Sequence, residues 1–70
     1  MDGLALDHLR SVLDRLTLDQ RDVLLLRLIG GLTVDQVAAV VGRKPGAVKM
    51  LQARGLAAIR REIQRGAVTL

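Results

Sequence analysis

Apolar residues recur along this chain at helical spacing, in runs separated by polar caps and glycines. The first run places Leu6, Leu9, Val12, Leu13 and Leu16 three or four residues apart, with Asp7, Arg10, Asp14 and Arg15 on the opposite side. One face is apolar and the other charged, which predicts an amphipathic helix over about Leu4 to Arg15, with a frayed end at Gly3 and before. The second run, Val23-Leu24-Leu25-Leu26-Arg27-Leu28-Ile29, is nearly continuous and by itself fits a buried strand as well as a helix. Its flanks decide for a helix. Thr17 with Gln20 three residues later forms a capping box, Asp19 favours the positive end of the helix dipole, and Gly30-Gly31 stops the run. The prediction is a helix to about Ile29, mostly surrounded by its neighbours.

Thr33-Val34-Asp35-Gln36 repeats the capping box, and here Leu32 and Val37 can also form a hydrophobic staple across the cap. The third helix is predicted over about Val34 to Val41, with Val34, Val37, Ala38 and Val41 inward. Gly42-Arg43-Lys44 then reads as a turn, and Pro45 suits the first position of a new helix, where a missing N–H costs nothing. The fourth helix should run from about Pro45 to Arg65, ending before Gly66. Val48, Leu51, Gly55, Ile59 and Ile63 form its inward stripe, with Gln52 and Leu56 at the edge. Glycine within a helix costs about 1 kcal/mol against alanine, so Gly55 predicts a close approach to another helix. The tail Ala67 to Leu70 is predicted to be disordered.

Thr33 to Arg54 organises the rest. Small Ala38, then Gly42 four residues on, then Val48 and Leu51 is the spacing of a helix-turn-helix. Ala38 lets the second helix cross close to its backbone, Gly42 supplies the positive φ that turns the chain back, and Val48 and Leu51 pack the second helix on the first. The fold class is therefore all-α: a four-helix domain, one unit over residues 1–70, containing a helix-turn-helix at about 33–65 with a long C-terminal recognition helix.

Composition narrows what such a domain can do. The 70 residues include no aromatic side chain, which removes the stacking surfaces on which single-strand and RNA readers hold bases. There is no cysteine, hence no disulfide framework, no thiolate metal site and no thiol nucleophile. The longest apolar run is too short to span a bilayer and contains Arg27. Charge is unevenly divided. Up to Gln36, six acids outweigh four arginines. Beyond it, seven basic residues face Glu62 alone. The basic half holds the recognition helix, as a phosphate-binding surface requires.

Catalysis finds no support. His8 is the only histidine and has no nucleophile beside it, so it reads as a surface or boundary residue. The acids are scattered without metal-ligand spacing, and Gly42-Arg43-Lys44-Pro45-Gly46 lacks the Gly-Lys-Ser/Thr of a phosphate loop. No metal, cofactor or small-molecule substrate is expected. The fourth helix carries the candidate chemistry. With Val48, Leu51 and Gly55 inward, Gly46, Ala47, Lys49, Met50, Ala53 and Arg54 are displayed outward. Gly46 and Ala47 permit close approach to a DNA groove; Lys49 and Arg54 suit phosphate or guanine; Met50 and Ala53 suit a thymine methyl. Arg43, Lys44 and Pro45 lie at the turn, near backbone phosphates. Arg60, Arg61 and Arg65 fall beyond the groove.

These residues resemble a known family. Leu16 to Arg27 (LTLDQRDVLLLR), then Gly31-Leu32-Thr33, Val37-Ala38, Gly42 and Gly46-Ala47-Val48-Lys49 are similar to domain 4 of bacterial RNA polymerase sigma factors, nearest the extracytoplasmic-function group. The likeness covers roughly Leu6 to Ile63. It implies an enzymatically inactive cytoplasmic domain that reads the promoter −35 element as duplex DNA. It also implies docking on the β flap of RNA polymerase and binding of an anti-sigma factor. Lys49, Met50, Ala53 and Arg54 fall where the family reads bases, with Arg43 to Ala47 near the backbone. Many members have Ser-Arg where this chain has Met50-Leu51 and an aliphatic residue at Gln52, so the inward anchor is expected at Leu51 instead. Nothing resembles the promoter-melting domain, so the chain is expected to be a part of a longer factor. Two other readings share the pattern: a response-regulator output domain, which usually ends its recognition helix sooner, and a helical module that binds only protein.

Overall fold

The structure, a computed structural model, describes residues 3–66. Four helices follow in order: α1 (Gly3–Asp14), α2 (Leu18–Leu24), α3 (Val34–Val41) and α4 (Pro45–Gln64). Between α2 and α3 the helix continues for one π-helical turn, Leu25–Ile29. No strand occurs among the described residues. The expected inward Leu6 and Leu9, surface His8, and disordered Ala67 to Leu70 lie outside the described residues and side chains.

Both capping boxes are formed. Thr17 Oγ1 accepts from the Gln20 amide at 3.1 Å, and the Thr17 amide donates to Gln20 Oε1 at 3.2 Å. Thr33 and Gln36 do the same at 3.1 and 2.8 Å. Each box satisfies two backbone donors that a helix start would otherwise leave unpaired. They fix where α2 and α3 begin, and so the angle at which each enters the core.

The core lies between α2, α3 and α4. Val23, Val37 and Val48, one from each, are fully buried around Ala38. Leu26, Leu32, Val34, Val41 and Leu51 pack against them. Burying a valine side chain is worth about 1.5–3 kcal/mol, so these three residues set the relative placement of the three helices. Leu32 and Val37, the expected staple pair, both belong to this cluster. Val12 and Leu16 of α1 are also buried, and α1 touches α4.

The close approach predicted at Gly55 is between α4 and α2. A methyl group there would stand 2.7 Å from Leu24 Cδ1 and 3.3 Å from its Cγ. The absence of a side chain lets the two helix surfaces meet.

Three expectations are corrected. Gly3 is helical rather than frayed. The run Val23 to Ile29 is not an α-helix throughout, nor mostly enclosed: Val23 and Leu24 are buried, but Leu28 is 63% and Ile29 79% exposed. The π turn widens the backbone, with the Gly30 amide bonded to the Leu25 carbonyl at 2.9 Å, and this rotates the following residues off the inward face. On α4, Ile63 is 37% exposed while Glu62 is buried. Val48, Gly55 and Glu62 succeed one another at seven-residue steps, which keep nearly the same face of a straight helix. The carboxylate is accompanied by Arg65, whose Nη1 lies 3.5 Å from Glu62 Oε1.

Candidate nucleic-acid interface

The interface is built on the turn between α3 and α4. Gly42 closes α3 in the left-handed region (φ 71°, ψ 34°), where a side chain would be strained. The Arg43 amide bonds back to the Ala38 carbonyl at 3.0 Å, so the turn is held to the last turn of α3. Lys44 is extended and provides no side-chain cap; Pro45 opens α4. Val48 and Gly55 then anchor α4 from below.

That anchoring presents the opposite side of α4 to solvent. Gly46, Lys49, Met50, Ala53 and Arg54 are exposed, Ala47 is half-buried, and Pro45 stands exposed at the helix start. Gly46 and Ala53 lie near the middle of the outer face, with Met50 beside them. The middle of the outer face is therefore open to solvent, with Lys49 and Arg54 at its margins.

Two of the sequence-predicted residues are placed differently from the rest. Arg43 is ion-paired with Asp19, in the first turn of α2, through Nη2 and Oδ2. Its guanidinium ties the turn to α2 instead of standing free for a phosphate. Both partners are about half exposed, so the pair is worth at most about 1 kcal/mol. Arg54 sits on the flank of α4 that faces the α1–α2 turn. There it lines a groove of about 410 Å³ with Arg15, Thr17, Gln20 and Arg61. Arg15 and Arg61 were not among the predicted site residues. The spacing of Arg54 and Arg61, seven apart on one helix, was the available signal.

A second contact explains Gln52. Arg27 reaches back from the π turn, donating from Nη1 to the Leu32 carbonyl at 2.7 Å and from Nε to Gln52 Oε1 at 3.2 Å. Leu51 packs on the core, as expected, and Gln52 also faces inward, with its amide oxygen occupied by Arg27. Arg27 is therefore a structural cation.

Away from α4, the π turn and α3 expose Leu25, Leu28, Ile29 and Val40. Leu25 and Val40 belong to a groove of about 420 Å³ edged by Asp19 and Asp22. Among the described residues, no helix is long and apolar enough to cross a membrane, and no cluster of His, Asp or Glu is placed to hold a metal ion.

Comparison with known proteins matches residues 6–59 to the family model described as Sigma-70, region 4. The chain is 38% identical over 56 residues to the ECF RNA polymerase sigma factor SigD of Mycobacterium tuberculosis, covering 80% of this chain and 26% of that protein. It is 34% identical over 68 residues to the ECF RNA polymerase sigma factor SigX of Bacillus subtilis, covering 90% and 35%. A third relative is ShbA, the ECF RNA polymerase sigma factor of Streptomyces griseus, 37% identical over 51 residues, covering 73% and 27%. The chain thus spans between about a quarter and a third of these relatives' lengths.

Proposed function

The chain belongs to the sigma-70 region 4 family, a non-enzymatic DNA-binding domain, of the ECF type, and from that premise we propose that α4 reads the −35 element of a promoter as duplex DNA. The observation that carries this is the unobstructed outer face of α4, held proud of the core by Val48 and Gly55. An α-helix about 10–12 Å across fits a major groove about 12 Å wide. Gly46 and Ala53 allow the backbone close to the base edges. Met50 offers an apolar contact for a thymine methyl, Lys49 a cation for phosphate or guanine, and Arg54, on the flank of the helix, a two-pronged donor to a backbone phosphate. Lys44 lies at the turn for a phosphate of the adjoining strand, with Arg43 steadied by Asp19 beside it.

One domain with a handful of phosphate contacts binds weakly and with strong salt dependence. Useful occupancy of a promoter therefore needs the polymerase, and the function proposed is as one domain-4 unit of a sigma factor working in the bacterial cytoplasm. The exposed Leu25, Leu28, Ile29 and Val40 are the surface proposed for docking on the β flap, and for an anti-sigma factor that competes with it. The test is fluorescence anisotropy against duplexes selected from a random library. Lys49→Ala and Arg54→Ala should each weaken the selected duplex by about 1–3 kcal/mol with helicity unchanged by circular dichroism. Unaltered affinity at low salt would remove α4 from the groove.

A further inference from the structure

We infer that Arg15, Arg54 and Arg61 form a lateral phosphate clamp that grips one backbone strand of duplex DNA along the flank of α4. The inference rests on α4 occupying a major groove and adds a second element, the α1–α2 turn, to the interface. Arg54 and Arg61 are seven residues apart and so share one flank, about 10 Å apart along the helix. Arg15 and Thr17 face them from the α1–α2 turn across the groove of about 410 Å³, and small Ala57 and Ala58 leave its α4 wall low. Among the described residues, no carboxylate lines it. All three arginines are exposed, and among the described residues none has an ion-pair partner, whereas Arg21, Arg43 and Arg65 each do. A helix seated in the major groove has a backbone strand on either side of it. Lys49 and Arg60, eleven residues apart, occupy the opposite flank. The groove meets one strand from two directions, which a lone helix cannot do.

Free polyphosphate offers the same oxygens, so the experiment has two arms. In the first, duplex affinity is measured by anisotropy from 50 to 200 mM salt for wild type, Arg15→Ala, Arg61→Ala, Arg61→Lys and, as a charge-matched control outside the groove, Arg10→Ala. In the second, inorganic pyrophosphate is titrated calorimetrically. A clamp predicts that Arg15→Ala and Arg61→Ala each lower the salt slope by about 1. Across this range each variant then loses about 3.5-fold less affinity than wild type. The loss at 50 mM should be equal for selected and scrambled duplexes, because phosphates carry no sequence. Arg61→Lys should keep the slope. An unchanged slope, or an equal change in Arg10→Ala, overturns the clamp while leaving the groove assignment of Lys49 standing. A changed sequence preference overturns it too, as does loss of pyrophosphate binding without loss of duplex slope. Failure of the wild type to bind any duplex overturns both readings.

Discussion

Replacing Gly55 by alanine sets two calculable effects against each other. In an exposed helix the change would stabilise by about 0.8–1.0 kcal/mol, because glycine surrenders more backbone entropy on folding. Here the new methyl would lie 2.7 Å from Leu24 Cδ1, well inside contact distance, and 3.3 Å from Cγ. Leu24 is 4% exposed, so it can retreat only into occupied space. Overpacking of this kind costs about 1–3 kcal/mol. The net expectation is a loss of roughly 0–2 kcal/mol, which in a domain of this size lowers Tm by up to about 8–16 °C. The sign becomes unambiguous in a double-mutant cycle. Leu24→Ala alone should cost about 2–5 kcal/mol. On that background Gly55→Ala should turn stabilising by up to about 1 kcal/mol, since the obstructing atoms are gone. The assay is urea unfolding followed by circular dichroism for all four proteins. If Gly55→Ala raises stability by the full propensity gain in the wild-type background, Leu24 yields freely and close helix contact is not why residue 55 is glycine.

Other perturbations probe separate parts of the molecule. Ala38→Leu places added bulk beside Val37 and Val48 and should destabilise by about 1–3 kcal/mol in the same assay; a fully stable variant would mean that α3 and α4 do not pack closely there. Arg27→Met keeps the aliphatic stem but strips the bonds to the Leu32 carbonyl and Gln52, and should cost about 1–3 kcal/mol; an unchanged unfolding midpoint would reduce Arg27 to an ordinary surface cation. Ile29→Ser alters a 79% exposed residue, so stability should hold within about 0.5 kcal/mol while binding to purified polymerase core falls; undiminished binding would clear this surface of the docking role.

What the sequence revealed was chiefly what is local. Thr17–Gln20 and Thr33–Gln36 act across three residues, and Gly42 answers a demand of its own backbone, so caps and turn could be read before any packing was known. Ala38 and Gly55 were legible as requirements for space, but only the structure shows that Gly55 meets Leu24. The features missed depend on partners distant in sequence. Arg43 and Asp19 are 24 residues apart, and Arg27 and Gln52 are 25 apart. The basic half of the chain was visible as composition, yet the arginine groove recruits Arg15 from the acidic half. The π turn escaped because apolar periodicity assumes 3.6 residues per turn. The family match then decides between readings that helix spacing alone left open, selecting the sigma domain over the response-regulator output domain.

The bond between Arg27 and Gln52 bears on any attempt to redesign what α4 reads. Transplanting a relative's whole α4, with an aliphatic residue at position 52, would strand the Nε–H of Arg27 in a half-buried place and set it against a greasy neighbour. The outward residues Lys49, Met50 and Ala53 are exposed and lie outside the core cluster, so they can be exchanged without disturbing what holds the helix. Position 52 can change only in step with position 27. Specificity in this domain is thus modular on one side of the helix and linked by a compensating pair on the other, and a successful graft is one that moves the outer face alone.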